Sequence, residues 1–305
     1  MKSYLGIDVS KLHLDLSRPA PARRLANTQK AILSWLKSLP PETILVCEAS
    51  GGYEALLLRL AHALHRPVIL LNARQVRDFA RAQNRLAKTD RIDAGVIAEF
   101  ARTFQPNPLS LPDPLQEQLV AMVKHRSHLL TQITQNNNLT QTVTDKNLLR
   151  LIAKTVAFLQ KQVAQLEVLI ETKIAASPDL LAKVNRLRQV QGIGRLTATS
   201  LVALMPELGS LSDTQADALA GVAPFNHDSG QFRGQRHIFG GRSQVRSVLY
   251  MAALVASRHN PILRTLYLHL LTRGKAKKLA LTALMRKLIV LANHLLKNPD
   301  FLLAI

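Results

Sequence analysis

Alternation of apolar and polar positions opens the chain. Tyr4-Leu5-Gly6-Ile7-Asp8-Val9 reads as a strand, Ser10-Lys11 as a turn, and Leu12, Leu14 and Leu16 alternate with polar residues, which predicts a β-hairpin. The period then lengthens. Gln29 to Leu39 carries Ile32, Leu33 and Leu36 on one helical face and is stopped by Pro40-Pro41. Ile44-Leu45-Val46-Cys47 is a short buried strand, Tyr53 to Leu64 a helix, Val68 to Leu71 a second buried strand, and Asp90 to Phe104 a further helix. Strands alternating with helices predict an α/β layer fold for this part.

Pro106, Pro108, Pro112 and Pro114 crowd a short stretch and mark a linker. The pattern beyond it is helical: Leu115 to Ile133, then a weakening at Gln135-Asn136-Asn137-Asn138, then Leu148 to Ile174. In the second helix Ile152, Leu159 and Leu166 interleave with Val156, Val163 and Ile170 as a heptad seam, which suits an antiparallel hairpin or a dimer equally. Ser177-Pro178 ends this arm. Short helices and glycine turns come next, up to Gly241, then long helices from Ser243 to His259 and Lys277 to Leu296; no internal repeat is visible. The expected organisation is an α/β domain over residues 1–110, a helical coiled-coil arm over 111–179 and a mostly α domain over 180–305.

Composition adds a partner. Forty Lys and Arg face twenty Asp and Glu, a net charge of +20 with a pI near 10.7, so the chain is drawn to a polyanion, and nucleic acid is the usual one. With 305 residues, 47% of them hydrophobic, a sizeable core is expected; aromatics are only 4%, so Leu, Ile, Val and Ala must build it. The single cysteine, Cys47, excludes a disulfide within one chain and a cysteine-based zinc site. The pairs His62 with His65 and His125 with His128 lack an obvious third ligand and read as helix-surface residues. Asp8 and Lys11 interrupt the N-terminus before a signal-like apolar stretch forms, and no run of about 18 apolar residues predicts a membrane span. The expectation is a cytoplasmic protein at the nucleoid.

In so basic a chain, four acids draw notice. Asp8 and Glu48 end apolar strands, and strand ends on one edge of an α/β sheet converge where sites form. Asp90 and Asp93 share the face of a helix start. Singly, each has an ordinary reading: turn former, strand end, helix cap, dipole partner. Together they would repel one another unless a divalent cation bridged them. Mg²⁺ (or Mn²⁺) takes carboxylate oxygens and favours phosphate, and two such ions serve phosphodiester transfer.

The C-terminal third offers further candidates. Gln191-Gly192-Ile193-Gly194 precedes a helix, and Gly192 and Gly194 suit either a phosphate-binding turn of helix-hairpin-helix type or a plain glycine turn. Ser229-Gly230 is followed by Arg233, Arg236, Arg242 and Arg246. Arginines grip phosphate bidentately, so a serine beside them is placed either to attack phosphorus or only to hydrogen-bond a backbone phosphate. Lys275, Lys277 and Lys278 form a basic knot before the last helix, suited to nucleic-acid backbone or simply to solvent.

At these residues the chain resembles the insertion-sequence transposases with an Asp-Glu-Asp-Asp catalytic set, the bridge-RNA-guided recombinases to which pilin-gene invertases are related. The stretches that carry the likeness are Tyr4 to Lys11, Cys47-Glu48-Ala49-Ser50-Gly51, Lys88-Thr89-Asp90-Arg91-Ile92-Asp93-Ala94, and Gln191 to Gly194 with Ser229-Gly230 through Leu249-Tyr250-Met251. The chain departs from the pattern at Phe239-Gly240, where some members carry a lysine. The resemblance implies a ribonuclease-H-like (Holliday-junction-resolvase-like) N-terminal domain, with Asp8, Glu48, Asp90 and Asp93 as metal ligands. It implies a C-terminal transposase domain with Ser229 as nucleophile. It also implies donor and target DNA, a structured guide RNA, and a homo-oligomer, dimer or tetramer, in which one subunit's serine completes another's acidic site. The expected function is a DNA recombinase acting through a covalent protein–DNA intermediate. Its rivals are a metal-dependent junction resolvase or nuclease using water, and a nucleic-acid-binding protein without catalysis.

Overall fold

A computed structural model describes residues 3–17, 23–85, 90–109, 113–226, 228–229, 232–234 and 236–301. The chain divides into two compact units, residues 1–112 and 113–305.

The first unit is a five-stranded mixed sheet with helices on both faces. Strands β1 (Ser3–Val9), β2 (His13–Leu16) and β3 (Arg23–Ala26) form an antiparallel meander. Helix α1 (Gln29–Ser38) leads to β4 (Thr43–Glu48), which pairs parallel to β1. Helix α2 (Ala55–Ala63) crosses over to β5 (Val68–Leu71), parallel to β4, giving the order β3-β2-β1-β4-β5. Two more helices complete the unit, α3 (Ala73–Ala82) and α4 (Asp90–Phe104).

Strand alternation decides which helices cover which face. Leu5, Ile7, Leu14, Leu16, Leu45 and Cys47 bury against Ile32, Trp35 and Leu36 of α1 and Leu57, Leu58 and Ala61 of α2. On the other face Tyr4, Ile44, Val46 and Ile69 meet Val76 and Ala80 of α3 and Val96, Ile97 and Ala101 of α4. Gly6 belongs to this second face. A Cβ there would stand 2.1 Å from the carbonyl oxygen of Ala94 and 2.7 Å from the amide nitrogen of Ala98, so α4 can rest on β1 only because position 6 has no side chain. Since Ala101 and Phe100 cluster with Tyr4 and Ile44 at the strand beginnings, α4 starts at the edge where β1 and β4 end.

The second unit begins with an antiparallel pair, α5 (Pro114–Leu139) and α6 (Lys146–Ala175). The seam residues Ile152, Val163 and Ile170 are buried, so the heptad closes a hairpin within the chain. Helix α5 runs through Gln135–Asn138, where the sequence pattern weakens. Asn136 Nδ2 donates to the Gln132 carbonyl at 2.8 Å, so its side chain back-bonds the helix instead of breaking it. The base of the arm is continuous with the C-terminal helices. Leu119, Val123, Ile170 and Ile174 share one core with α7 (Pro178–Leu187), α8 (Arg195–Leu204), α9 (Asp213–Ala220), α10 (Ser243–His259), α11 (Pro261–Thr272) and α12 (Lys277–Lys297). The compact units are thus two, where the sequence suggested three domains.

Between α9 and α10 lie four two-residue strands. β6 (Pro224–Phe225) pairs with β9 (His237–Ile238), and β7 (Asp228–Ser229) with β8 (Phe232–Arg233), all antiparallel.

Among the described residues α12 is long and apolar enough by composition to cross a membrane. Its charged residues break any continuous apolar run, but its average hydropathy passes. Ala280, Leu281, Leu284, Met285, Leu288, Ile289 and Ala292 bury it in the core of the second unit, and a core helix passes the same test.

Gly6→Ala should cost roughly 3 kcal/mol or more, because the methyl must displace helix backbone. Urea unfolding of the first unit checks this; an unchanged midpoint would show that α4 is not held against β1 at this point.

Candidate active site

The strand register builds the site. Ile7 is paired with Cys47 in the parallel ladder, so the next residues on each strand, Asp8 and Glu48, stand side by side. Both fall on the α4 face, one pleat beyond Gly6 and Val46, and both are half-buried. Asp93 is half-buried and precedes Ala94, whose carbonyl lies over Gly6. Positions 90, 93, 94, 97, 98 and 101 form one helical stripe, and its last four residues are buried. The stripe therefore carries Asp90 and Asp93 to the strand-end edge that Asp8 and Glu48 occupy. Asp90 is the first residue of α4; its side chain lies outside the described set.

A fifth carboxylate, which the sequence reading passed over, lies in the same row. Asp15 is directly opposite Asp8 across the β1–β2 pair. Side chains so placed have Cβ atoms about 5 Å apart, close enough for like charges to oppose one another. The next strand answers this charge. Arg24, opposite Asp15, donates Nε to Oδ1 at 2.9 Å and Nη2 to Oδ2 at 3.1 Å. Asp15 is thereby paired to the outer strand.

Glu54, also passed over, shapes the loop after Glu48. Its Oε2 accepts from the Ser50 amide (3.1 Å), the Ser50 hydroxyl (2.7 Å) and the Gly52 amide (2.9 Å). Burial pushes its pKa up, but hydrogen bonds from its own backbone amide and from these Ser50 and Gly52 donors outweigh burial and hold it below the usual value. The only sequence signal was a glutamate following two glycines.

Among the described residues no group of three or more His, Cys, Asp or Glu is drawn tightly enough to hold a metal ion. The donor chemistry nonetheless fits a hard cation. Every acid on the edge offers carboxylate oxygen, and the neighbouring thiol is withdrawn from competition. Cys47 is fully buried on the opposite face, and its pKa is pushed up to about 12, first by burial and then by the negative charges of Glu54 and Glu48.

In the second unit Ser229 stands near the tip of the β-hairpin, paired with Phe232, and Arg233 is paired with Asp228. The side chains of Ser229 and Arg233 lie outside the described residues. Farther down, the fold gathers several cations that are scattered in sequence. A cleft of about 850 Å³ is lined by Arg236 and His237 of the hairpin, Lys275 before α12, and Lys278 and Arg286 on it. Its walls include Ile238, Leu270 and Leu279. Arg286 is set by Asp217, a buried aspartate to which its Nε donates. Burial raises the pKa of Asp217, against the pull of Arg286. Lys277 is exposed beside this cleft.

Arg242 and Arg246 serve the fold in this structure. Arg242 donates Nη1 and Nη2 to the Glu207 carboxylate at 2.8 and 2.7 Å, and Nη1 also reaches the Leu204 carbonyl. Hydrogen bonding to Arg242 lowers the pKa of Glu207. Arg246 Nη1 donates to the carbonyls of Gly240 (2.8 Å) and Gly221 (3.3 Å). Gly192, at φ +109°, has room only for hydrogen where it meets Ala256 of α10, since a Cβ would lie 2.6 Å from the alanine methyl. Gly194 is the N-cap of α8 with open space beside it, and as a glycine it offers the amides of the helix's first turn no side-chain cap.

Two transposase family models match the chain, the first of them running from the sheet unit on into the helical arm. Residues 5–148 match the DEDD transposase domain of the IS110 family, and residues 184–268 match the transposase domain of the IS116/IS110/IS902 family. The chain is 27% identical to the pilin gene-inverting protein of Moraxella lacunata and 28% to that of Moraxella bovis, in each case over 97% of this chain and 96% of the relative.

The Cys47 thiol should resist iodoacetamide in the native protein at pH 8 and react once unfolded. Because the folded thiol ionises near pH 12 and the unfolded one near 9, its contribution to stability is complete below pH 9 and is lost as pH rises toward 12. Thiol labelling with mass spectrometry, paired with thermal melts from pH 8 to 11, measures both; rapid native labelling at pH 8 would contradict the burial.

Proposed function

From a chain that carries IS110-family transposase domains and acts as a DNA recombinase or transposase, we propose a division of labour between its two units. The first unit, a ribonuclease-H-like layer, activates a phosphodiester with its acids; the second supplies the serine that holds the cut strand. The observation that carries the reading is the register that stands Asp8 beside Glu48 at the edge where α4, with Asp90 and Asp93, begins.

Asp8, Glu48, Asp90 and Asp93 are the residues that would hold Mg²⁺ or Mn²⁺. Such an ion, when bound, polarises a phosphate and stabilises the charge that builds on its oxygens. The protein's part is to orient and to attack. Ser229 Oγ forms a bond to phosphorus, the bond from phosphorus to the 3′-oxygen breaks, and that oxygen takes up the proton the serine gives up. A 3′-hydroxyl of a second strand then attacks the same phosphorus and returns the serine hydroxyl. The number of phosphodiester linkages is unchanged, so no external energy source is required.

The basic cleft lined by Arg236, Lys275, Lys278 and Arg286 suits backbone phosphates, as does the exposed Lys277. Arg233 and the open N-terminus of α8 at Gly194 are further phosphate contacts in this reading. We extend the proposal to a structured guide RNA that selects donor and target DNA, and to a homo-oligomer acting at the nucleoid. The net charge of +20 and the family likeness support the polyanion partners. Leu148, Leu151, Phe158 and Leu169, exposed on the outer face of α6, support self-association through the arm. Relatives that invert a pilin gene favour DNA rearrangement as the outcome.

The decisive experiment is a covalent trap. Cells carrying the intact element are lysed in denaturant, and DNA attached to protein is compared for wild type, Ser229→Ala and Asp8→Ala. Adducts in wild type and their fall to background in both variants are expected. Recombinant product from Ser229→Ala at the wild-type level would replace the serine with water as the nucleophile. Normal product from Asp8→Ala would remove the acids from the chemistry.

A further inference from the structure

Asp8 and Glu48 lie on neighbouring strands, and each is followed by a loop. A single side chain ties those loops together. Asn27, the first residue after β3, donates Nδ2 to the Ser10 carbonyl at 3.0 Å and to the Tyr53 carbonyl at 3.2 Å. Ser10 is two residues beyond Asp8; Tyr53 is five beyond Glu48. The backbone amide of Asn27 also donates to the Leu12 carbonyl at 2.8 Å, in the same turn as Ser10.

Both tethered loops are themselves stiff. The Ser10 turn is closed by its hydroxyl, which donates to the His13 carbonyl at 2.9 Å and accepts from the His13 amide at 3.1 Å. The loop from Glu48 to Tyr53 is gathered by the Glu54 carboxylate on the Ser50 and Gly52 donors. A tie between two stiff loops fixes distance; a tie between slack loops would not. The amide orientation is set by chemistry, since flipping it would turn its oxygen toward two carbonyls. That orientation leaves Asn27 Oδ1 buried with no hydrogen-bond partner among the described residues. A buried orphan acceptor is a cost that a residue chosen only for stability would shed, and such costs collect where geometry serves function.

We infer that Asn27 is a positioning residue for the acidic site, a strut that sets the spacing of Asp8 and Glu48 through the Ser10 and Tyr53 carbonyls. The inference rests on the reading that these acids hold a divalent cation. Residues that orient metal ligands from outside the ligand set typically govern affinity by 10–100-fold.

The test uses the full-length protein and Mn²⁺ alone, with free ion followed by electron paramagnetic resonance. Asn27→Ser keeps at most one donor, Asn27→Ala keeps none, and Asn27→Asp keeps the shape but presents a carboxylate to two carbonyls. Mn²⁺ dissociation constants should rise in the order wild type, Ser, Ala, Asp, by about tenfold at Ala. Strand cleavage should show the same shift in half-saturating metal. Thermal melts accompany each variant, and the mild Ser substitution keeps the series readable if Ala or Asp folds poorly. A loss of folded protein alone would lower the amount of Mn²⁺ bound without moving the dissociation constant, and that result would overturn the strut. Unchanged binding in all three variants would do the same. If wild type and Glu48→Ala take up equally little Mn²⁺, the carboxylate reading itself fails and the strut fails with it.

Discussion

The contact between Gly6 and the Ala94–Ala98 turn of α4 governs the first unit. A sheet and a helix normally keep the distance their side chains impose. Here one strand position has none, and the helix backbone settles onto the strand itself. Two acids carried on the strands and two carried on the helix therefore occupy the same edge. The register of β1 with β4 supplies the first pair; the stripe 90, 93, 94, 97, 98, 101 supplies the second. Loss of the close approach would leave each pair intact and separate the two.

Charge is managed by neighbours, not by dilution. The chain is strongly basic, yet its sheet edge is locally acidic. Arg24 takes up the charge of Asp15, the acid opposite Asp8 in the sheet. Behind them Cys47 stays a neutral thiol, so the edge offers oxygen alone. In the second unit the arrangement is reversed. Asp217 anchors Arg286 beneath a cleft whose other charged residues, Arg236, Lys275 and Lys278, are all cations. The same chain thus gathers acids at one edge and cations around a cleft in its other unit.

Much of this was legible in the sequence because it rests on periodicity. The β1–β2 hairpin, β5, α4 and α10 lie where apolar spacing puts them, and Asp8 and Glu48 stand out as charges closing apolar strands. Elements with thin apolar stripes were not legible. Helix α3 has Val76 and Ala80 as its only fully buried residues amid three arginines, and α11 buries only Leu263. The short strands of the serine hairpin have no period to read at two residues each. Partnerships were hidden for a different reason: Arg242 with Glu207, Arg24 with Asp15 and Asn27 with Tyr53 depend on which segments meet. A run of arginines after Ser229 looks uniform along the chain, but Arg242 and Arg246 hold the protein together while Arg236 opens onto a cleft.

The root of the serine hairpin is a crossing of three glycines. Side chains at Gly221 or Gly241 would collide with the opposing backbone, and Arg242 and Arg246 bolt the crossing from either side, to Glu207 and to the carbonyls of Gly221 and Gly240. Mechanically this is a lever with a pinned base. A force applied to these small strands would pass through the base into α9 and α10, at the centre of the unit's core.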